Sequence, residues 1–374
     1  MKLTIERSIL LKALGHVQGV VEKRTTIPIL ANIRLDVGSH GLRLQATDID
    51  LEIAETVPCD PIEPGSTTAP AHTLYDIVRR LPEGSDVHLE YPSKEERLIL
   101  RSGRSRFVLQ CLPVEDFPVM SVGDLAFSFQ LRSADLRNLM ERTRFAMSTE
   151  ETRYYLNGLY LHAVREQNVE ILRTVATDGH RLARMEVPLP EGAAGMPGII
   201  VPRKTIEEMR PLVEETTNGI TLSLSETKIR FAFDETVLVS KLIDGTFPDY
   251  ERVIPQGNDK VMEVNAKMLA DAVNRVSAVM TTDKARAVKL DLTKGNLALS
   301  ASNTTTADNA EDALEASYDS TPLSIGFNSR YLLDVLGQMT GETVRFILLD
   351  PSSPTVVRDA ADGSALYVLM PMRV

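Results

Sequence analysis

The sequence predicts an α+β fold made of three consecutive repeats, each with two helices packed on antiparallel sheets. Three landmarks recur in the same order along the chain. They are an extended piece leading into an amphipathic helix, a strand ending in a polar turn, and a short helix leading into hairpins. Self-similarity at a fixed period indicates a repeated structural unit. A few helices segregated among many short strands are typical of the α+β class.

The first landmark opens each repeat. Extended residues 3–7, 127–131 and 261–264 lead into apolar residues at helical spacing. The predicted apolar faces are Ile9, Leu10, Leu11, Leu14 and Val17, then Leu136, Leu139 and Met140, and finally Leu269, Ala272, Val273 and Val276. Because serine and asparagine favour helix starts, we predict N-caps at Ser8 and Ser133 and a start at Asn265 or Ala266.

The other landmarks place the remaining elements. Strands end at 45–48, 175–178 and 300–303, and short helices are predicted near 71–78, 203–209 and 329–336. Closing strands lie at 107–112, 237–242 and 366–370, followed in the first two copies by Phe117-Pro118 and Phe247-Pro248 as linkers. We therefore predict three domains, at residues 1–121, 122–254 and 255–374, each of ordinary domain size.

Composition limits the function classes. The 374 residues are 43% hydrophobic and 25% charged, and Cys59 and Cys111 fit no metal or redox spacing. Without a signal-like start or a run of roughly 18 apolar residues, the expectation is a cytoplasmic protein with no membrane contact. The net charge is −11, yet the six predicted helices together are basic. A shared helical face would suit phosphate tracking, although basic helices also occur for solubility alone.

The strongest catalytic candidate is the pair Asp178 and His180, next to an Asp-Gly turn signal. Phosphate-loop, zinc-protease and serine-hydrolase patterns do not occur in the sequence. The same Ala-Thr-Asp lead-in recurs at 46–48, where no histidine follows. A shared piece of framework, with aspartate accepting backbone N–H bonds in a turn, is therefore the favoured interpretation, and acid–base catalysis is the alternative.

Two further stretches invite a binding interpretation. The segment 101–106, Arg-Ser-Gly-Arg-Ser-Arg, is either a phosphate nest or a hairpin followed by a charged edge strand. Acidic residues in the third repeat offer complementary charge, namely Asp308, Glu311, Asp312 and Glu315. The segment 367–374 is unusually apolar for the end of a chain, so we expect it to pack onto something.

Motifs along the whole chain resemble one family, the bacterial DNA polymerase III beta subunits, which are the replicative sliding clamps. The matching segments are Ile27-Pro28-Ile29-Leu30, Ser102-Gly103-Arg104-Ser105-Arg106-Phe107, Arg153-Tyr154-Tyr155-Leu156-Asn157-Gly158, Thr177-Asp178-Gly179-His180-Arg181-Leu182-Ala183, Val201-Pro202-Arg203-Lys204, Phe247-Pro248-Asp249-Tyr250 and Met370-Pro371-Met372-Arg373. The resemblance implies a head-to-tail homodimer, a ring of clamp domains whose helices surround duplex DNA without reading its sequence.

The same resemblance implies a processivity factor without enzyme activity or cofactor. The ring would tether the replicative polymerase, and repair polymerases, ligase and mismatch-repair proteins would use it as well. Its implied partners are the DNA polymerase III alpha subunit, the clamp loader delta subunit and other proteins that carry a clamp-binding motif. Retention on DNA would then be topological, so weak phosphate contacts along a basic lining suffice.

Site residues carried over from the family fall into three groups. The partner-peptide pocket would comprise Leu156, Thr177, Gly179, His180, Arg181, Leu182, Pro248, Arg252, Val253, Val368, Met370, Pro371, Met372 and Arg373. The DNA contacts would be Arg24, Arg79, Tyr154, Tyr155, Arg203 and Lys204. The dimer interface would join Arg104, Arg106 and Leu109 to Val279, Met280, Asp308, Glu311 and Asp312. An apolar slot with polar tips suits an extended peptide, with arginine stems covering apolar surface and their heads holding backbone carbonyls.

Two departures and two alternatives accompany this interpretation. Glu150 stands where a neutral polar residue occurs in the best-known relative, and Ser352 and Pro354 lie in a differing segment near the pocket rim. One alternative function is a clamp paralogue acting as an antibiotic-resistance decoy. The other is a nuclease using Asp178 and His180, which would usually need a cluster of metal-binding carboxylates.

Overall fold

The computed structural model describes residues 1–92, 95–280, 286–303 and 306–374. Helices and strands alternate in the order that the repeats predict. Neighbouring strands such as 2–6 and 60–63, 51–57 and 236–241, and 181–188 and 365–369 pair in antiparallel fashion. The predicted α+β class is therefore confirmed. Among the described helices, none combines the length and apolarity that crossing a bilayer requires.

The first repeat contains two helices and nine strands in the described residues. They are β1 (Lys2–Glu6), α1 (Arg7–Gln18), β2 (Asn32–Gly38), β3 (Gly41–Thr47), β4 (Leu51–Val57), β5 (Asp60–Glu63), β6 (Gly65–Pro70), α2 (Ala71–Arg79), β7 (Asp86–Glu90), β8 (Arg97–Ser102) and β9 (Ser105–Gln110).

The second repeat follows the same plan. Its elements are β10 (Phe127–Arg132), α3 (Ser133–Glu141), β11 (Gly158–Glu166), β12 (Val169–Thr177), β13 (Arg181–Pro188), β14 (Ile199–Pro202), α4 (Arg203–Glu215), β15 (Gly219–Leu224), β16 (Lys228–Phe233) and β17 (Thr236–Lys241). Short 3-10 turns lie at Arg144–Ala146, Glu151–Leu156 and Tyr250–Val253.

The third repeat completes the chain. It consists of β18 (Lys260–Asn265), α5 (Ala266–Ser277), β19 (Ala287–Thr293), β20 (Asn296–Ser302), β21 (Asn309–Glu315), β22 (Ser317–Tyr318), β23 (Leu323–Asn328), α6 (Ser329–Leu336), β24 (Thr343–Leu348), β25 (Thr355–Asp359) and β26 (Ala365–Leu369).

The repeats share sheets with their neighbours. Residues 1–137 and 190–243 form one compact unit (unit 1), and residues 138–189 and 244–374 form another (unit 2). In unit 1, β17 of the second repeat pairs with β4 of the first, giving the sheet order β10-β15-β16-β17-β4-β3-β2-β6. In unit 2, β13 pairs with β26 in the order β11-β12-β13-β26-β25-β24-β18-β22. The compact units therefore divide the chain differently from the predicted boundaries.

Each unit also carries a smaller sheet whose edge strand bears charged residues. In unit 1 the order is β5-β1-β7-β8-β9, and in unit 2 it is β21-β20-β19-β23. The segment 101–106 is the β8–β9 hairpin, with Gly103 at φ +55 in its turn. The prediction of a hairpin followed by a charged edge strand is confirmed.

The helix starts agree in part with the predicted caps. Asn265 caps α5, since its side chain accepts from the Met268 amide at 3.0 Å. Ser8 does not cap α1, because the helix follows directly from β1 with Glu6 as the N-cap and the Ser8 hydroxyl donates to Glu6 Oε1 at 2.7 Å. Ser133 is likewise the first residue of α3 rather than a residue before it. In α1 and α5 the N-cap is the last residue of the preceding strand, and of these two residues Asn265 caps with its side chain whereas Glu6 does not.

The buried faces of α1 and α5 follow the predicted apolar pattern, except that α1 also buries a histidine. In α5 the predicted stripe is buried, whereas in α1 Ile9 and Leu11 are half-buried and His16 takes a core position. His16 Nδ1 lies 2.7 Å from Glu55 Oε2, and its Nε2 lies 3.4 Å from Glu215 Oε1 on α4. Burial alone would lower the pKa of His16, but hydrogen bonding and attraction from these carboxylates raise it above its ordinary value.

Candidate functional site

The turn from Thr177 to Arg181 is held by its own side chains. Asp178 Oδ1 accepts from the amides of His180 at 2.9 Å and of Arg181 at 3.0 Å. Thr177 Oγ1 accepts from the Gly179 amide at 3.1 Å and donates to the Arg181 carbonyl at 2.7 Å. Gly179 has φ +86, a conformation that glycine adopts readily. The turn role predicted for Asp178 is confirmed.

Arg181 ties this turn to the rest of unit 2. Its side chain is 8% exposed, and its Nε lies 3.1 Å from Asp178 Oδ2. Nη1 lies 2.5 Å from Asp334 Oδ2 on α6, and Nη2 donates to the Phe145 carbonyl at 2.6 Å. The guanidinium also lies over the ring of Tyr331, 4.3 Å from its centroid. All three nitrogens are therefore engaged within the unit, so the Arg181 head is a support for the site rather than a free donor for a peptide carbonyl.

An aromatic surface lies beside the turn. The exposed His180 ring is nearly parallel to that of Tyr331, with 6.4 Å between centroids and 23° between planes. Tyr331 is half-buried on the first turn of α6, and desolvation raises its pKa. Sequence reasoning did not single out Tyr331. The available signal was its place in the first turn of α6, which begins after the capping residue Asn328.

The segment 370–374 continues from β26 across this turn. Leu182 pairs with Val368 in the ladder, and the Met370 amide then donates to the His180 carbonyl at 3.0 Å. Two residues on, the Met372 amide donates to the Gly326 carbonyl of β23 at 2.8 Å. Met370 and Met372 are half-buried. The prediction that this apolar segment packs onto the protein is confirmed.

All the predicted pocket residues belong to unit 2 and differ in burial. Leu156, Arg181, Leu182 and Val368 are buried; Thr177, Met370, Pro371 and Met372 are half-buried; Gly179, His180, Pro248, Arg252, Val253 and Arg373 are exposed. Hydrogen bonds and strand pairing join the stretch 177–182 to residues 368–370. Arg252 instead pairs with its neighbour Asp249 at 2.7 Å, with its side chain 85% exposed. The geometry therefore assembles a surface of aliphatic, methionine and aromatic side chains with polar tips.

A buried arginine fixes the 3-10 turn that carries Arg252 and Val253. Arg173 on β12 is fully buried, and its Nη1 donates at 2.8 Å both to the Tyr250 hydroxyl and to Glu251 Oε1. Glu186 and Glu166 complete its charge balance. Burial is the main cause that raises the pKa of Tyr250 to about 12. Sequence reasoning missed Arg173, because an arginine in a strand is usually an exposed residue.

Burial also affects a histidine of the same network. His162 Nε2 lies 3.0 Å from the Tyr250 hydroxyl, and its ring stacks on Tyr160 with 4.5 Å between centroids. Desolvation, with repulsion from Arg173 and Arg184, lowers the pKa of His162 to about 4. His162 is therefore neutral at physiological pH and part of the packing around the 3-10 turn.

The predicted DNA contacts have different surroundings. Arg24 is exposed and, with Lys23, His72 and Tyr75, lines a cavity of about 880 Å³. Arg79 is exposed and pairs with Asp76 at 3.0 Å. Arg203 is half-buried. Tyr154 is exposed and meets Tyr155 edge to face at 5.7 Å, and the nearby Glu150 pairs with Arg153 at 3.2 Å.

Lys204 is the predicted DNA contact whose charge is already balanced. Its Nζ lies 2.5 Å from Glu22 Oε1 and 2.6 Å from Asp48 Oδ2, and it donates to the Val20 carbonyl at 2.9 Å. Desolvation works against the charged form, but the two carboxylates raise the pKa of Lys204. The geometry gives Lys204 a structural role in unit 1, joining α4 to the turn at Asp48.

Most of the predicted dimer residues lie on or beside the edge strands β9 and β21 of the two smaller sheets, and the other two, Val279 and Met280, follow the end of α5. Arg104 and Arg106 are exposed, whereas Leu109 is buried in its own sheet. The exposed apolar residue of β9 is Val108, at 41%, which sequence reasoning missed. Alternation along the strand could have found it, because Val108 and Leu109 must face opposite sides.

On the other edge strand, β21, charge is distributed over both faces. Asp308 and Glu311 are exposed, while Asp312 pairs with Arg275 of α5 at 2.7 Å. Nearby, Val279 is half-buried and Met280 is buried. Within the described residues, the acidic charge of this edge that no ion pair balances therefore comes from Asp308, Glu311 and Glu315. In the described residues, no trio of histidine, cysteine or carboxylate side chains is placed to hold a metal ion.

Family models of the DNA polymerase III beta subunit match the chain in three parts: the N-terminal domain at residues 1–121, the central domain at 130–249 and the C-terminal domain at 251–373. A beta sliding clamp from Caulobacter vibrioides is 52% identical over 374 residues, covering 100% of both chains. A C. crescentus clamp structure superposes with a TM-score of 0.97 at 52% identity, covering 100% of this chain and 99% of the other. A Bartonella birtlesii sliding clamp bound to griselimycin has a TM-score of 0.96 at 48% identity, covering 100% of both chains.

Proposed function

The chain belongs to the DNA polymerase III beta subunit family, and from this premise we propose which of its surfaces meet DNA, a second copy and partner proteins. The protein is a DNA sliding clamp, a non-catalytic processivity factor of DNA replication with three clamp domains. Its general partners are therefore DNA and a DNA polymerase. We place its domains at 1–121, 122–254 and 255–374 and its site of action in the cytoplasm.

The proposed partner site is the surface formed by the turn 177–181, Tyr331 and the segment 370–373. The observation that carries this proposal is the pair of hydrogen bonds that holds the segment between His180 and Gly326. The surface includes the exposed His180 ring beside the half-buried Tyr331 ring, and the half-buried Met370 and Met372 of the bonded segment. Methionine adapts to different ligands, and such a slot suits an extended peptide with aliphatic and aromatic anchors. The occupants would be the clamp-binding motifs of the alpha subunit, the clamp loader delta subunit and related proteins.

The test of the partner site is peptide binding. A fluorescent peptide carrying the clamp-binding motif of the alpha subunit is titrated with the full chain and with a variant lacking residues 370–374. We expect the deletion to abolish binding, because it removes one side of the proposed site. The oligomeric state should stay unchanged, because the removed residues lie beyond the last ladder pairing of β26. Griselimycin, which was solved bound to the Bartonella birtlesii clamp, is a second probe. Unchanged peptide affinity in the deletion variant would rule the site out.

The proposed assembly is a head-to-tail homodimer in which β9 of one copy pairs with β21 of the other. Both strands are edges of their sheets in the described chain, so their outer backbone groups are open to pairing. Arg104 and Arg106 on one edge complement Asp308 and Glu311 on the other. Two different surfaces that meet with a rotation that closes give a ring. Sedimentation at micromolar concentration tests this, and a monomer alone would contradict it.

The proposed DNA contact is electrostatic and sequence-independent. The candidate residues are Arg24, Arg79, Tyr154, Tyr155 and Arg203. Of the predicted DNA contacts, Lys204 is the weakest candidate, because Glu22 and Asp48 already balance its charge. Retention by a closed ring should not depend on DNA sequence. We expect the protein to stay on nicked circular DNA and to leave once the circle is linearised. Equal retention on both forms would contradict encirclement.

A further inference from the structure

Strand β23 carries a glycine, Gly326, at the point where the segment 370–374 crosses it. The Met372 amide donates to the Gly326 carbonyl at 2.8 Å, and the two residues form an isolated antiparallel bridge. A Cβ placed on Gly326 would overlap Val374 Cγ1 and lie 2.7 Å from the Met372 carbonyl oxygen. The second of these neighbours is backbone, which no rotamer change can move aside. A side chain at position 326 is therefore incompatible with the segment as it lies.

The usual local reason for a glycine does not apply at this position. The φ angle of Gly326 is not positive, so the backbone is open to any residue. The residue lies inside a strand between the buried Ile325 and Phe327, where glycine weakens the strand. Close approach of another piece of backbone is the remaining physical reason for a strand glycine.

Ile200, the residue of unit 1 that corresponds to Gly326, shows which contact requires the glycine. There the Ile243 amide donates to the Ile200 carbonyl at 3.0 Å, as the Met372 amide donates to Gly326 in unit 2. In each unit this bond comes two residues after a bond to the turn, which the amide of Lys241 makes in unit 1 and that of Met370 in unit 2. Ile200 nevertheless carries a large side chain that is 2% exposed. The hydrogen bond therefore does not itself require a glycine. What requires it in unit 2 is the Met372 carbonyl and the Val374 side chain lying directly over the strand.

We propose that Gly326 is a positioning residue of the partner site. By leaving room over β23 it lets residues 372–374 lie against the sheet, and this anchors the stretch 370–373 in place as one wall of the site. The wall is then fixed at both ends, by the His180 carbonyl and by the Gly326 carbonyl. The proposal rests on the proposed partner site, and Gly326 itself need not touch the peptide.

The experiment compares Gly326→Ala with a matched control, Gly257→Ala, in the full-length protein. A Cβ at Gly257 meets nothing within 4 Å, so the same chemical change there should have no effect. The probe is the fluorescent alpha-subunit peptide. We expect Gly326→Ala to weaken peptide binding on the order of tenfold, the scale on which losing part of a pocket wall acts. Hydrogen exchange of the Met372 amide should also become faster, since that amide loses its acceptor.

A second substitution separates positioning from a general effect on the strand. Because the added methyl group overlaps Val374, the double variant Gly326→Ala, Val374→Gly should bind the peptide more tightly than Gly326→Ala alone. Should Gly326→Ala fail to fold, the double variant is the one compared with Gly257→Ala. It should still bind the peptide more weakly than the unmodified protein, because the Met372 carbonyl oxygen remains 2.7 Å from the added Cβ.

The outcomes distinguish this inference from the proposed site. If deleting 370–374 abolishes peptide binding while Gly326→Ala binds as tightly as the unmodified protein, the role of Gly326 is overturned and the site stands. If the deletion itself leaves affinity unchanged, the site fails and the positioning role fails with it. Weakened binding by Gly326→Ala, faster Met372 exchange and partial recovery in the double variant together support the inference.

Discussion

The turns 47–51 in unit 1 and 177–181 in unit 2 share their hydrogen bonds position by position. Asp48 Oδ1 accepts from the second and third amides after it at 2.9 and 2.7 Å, as Asp178 does at 2.9 and 3.0 Å. The neighbouring strand continues the correspondence, since the Lys241 amide donates to the Asp50 carbonyl at 2.8 Å and Met370 to His180 at 3.0 Å. Two junctions between repeats are therefore built on one plan.

The junctions differ in where their central cation comes from. In unit 2, Arg181 of the turn itself reaches Asp178, Asp334 and the Phe145 carbonyl. In unit 1 the turn has Leu51 at that position, and Lys204 of α4 reaches Asp48, Glu22 and the Val20 carbonyl instead. The plan thus needs a cation at this point, but either the strand or the helix can supply it.

Whether the cation comes from the turn or from the helix affects which side chains the first turn of that helix, α4 or α6, can expose. With Lys204 turned inward, the next residue of α4, Thr205, is buried and bonded to Ser240 at 2.6 Å. In unit 2 the arginine of the turn leaves the first turn of α6 to carry Tyr331, whose ring lies beside the exposed His180. Of the two junctions as described, unit 2 is therefore the one with an aromatic surface for a peptide. Supplying the cation from the turn allows a docking site to form.

The largest effect should come from removing the cation of unit 2. Arg181→Leu removes the buried cation and leaves the half-buried Asp178 and Asp334 without it, and breaking such a pair typically costs about 3–5 kcal/mol of unfolding free energy. Urea unfolding followed by circular dichroism measures it. The matched control is Arg252→Leu. Because the Arg252 side chain is 85% exposed, this substitution should change the unfolding free energy by less than about 0.5 kcal/mol. Equal effects of the two substitutions would refute the central role of Arg181.

Removing the cation of unit 1 should cost less. Lys204→Met keeps the length of the side chain, and Lys204 is 32% exposed, so water can partly replace its partners. We expect a loss of about 1–3 kcal/mol by urea unfolding, the range for a charged hydrogen-bonded group. Lys241→Met is the control, because the Lys241 side chain that pairs with Asp50 is 47% exposed and its loss should therefore cost less. A greater loss from Lys204→Met than from Arg181→Leu would reverse the comparison.

Much of this plan was open to sequence reasoning, and the reasons for the rest are specific. The repeat, the hairpins and the turn role of Asp178 follow from local patterns, because turn chemistry and periodicity act over a few residues. Arg173, Tyr331 and Gly326 were missed because their roles depend on distant parts of the chain. Arg173 bonds to residues 77 and 78 positions away, the Tyr331 ring lies beside a residue of the turn 177–181, and Gly326 is crossed by the segment 370–374. The balanced charge of Lys204 was missed for the same reason, since Glu22 lies 182 positions away.

A smaller effect should distinguish the backbones of the two turns. Gly179 and Ile49 occupy the same turn position, at φ +86 and φ +84. A β-branched residue in this region is strained, and its cost is about 1–2 kcal/mol. Gly179→Ala should therefore destabilise by about 1 kcal/mol, also because its Cβ would lie 2.9 Å from Arg153 Nη1. Ile49→Gly should be neutral or stabilising, because Ile49 is 43% exposed and loses little burial. Destabilisation by both substitutions in thermal unfolding would show that Ile49 has a packing role.

The smallest effect should be a pH dependence that belongs to unit 1. His16 on α1 is buried against Glu55 and Glu215, and the same small cleft is also lined by Lys12, Asp234 and Glu235. The corresponding residue of α3 is Glu141, which pairs with Arg144 instead. The pKa of His16 is raised above its ordinary 6.5 in the folded chain. Protonation at this site therefore stabilises the fold fully below about pH 6.5, and that contribution is lost as pH rises through the folded pKa.

We expect His16→Gln to remove this pH dependence, so that the stability difference from the unmodified protein is greatest near pH 6 and shrinks towards pH 9, by about 1 kcal/mol in urea unfolding. His180→Gln is the control, because that ring is exposed and belongs to unit 2. A difference that grows as pH rises would mean that the neutral ring is the stabilising form. The coupling of α1 to α4 would then rest on packing rather than on charge.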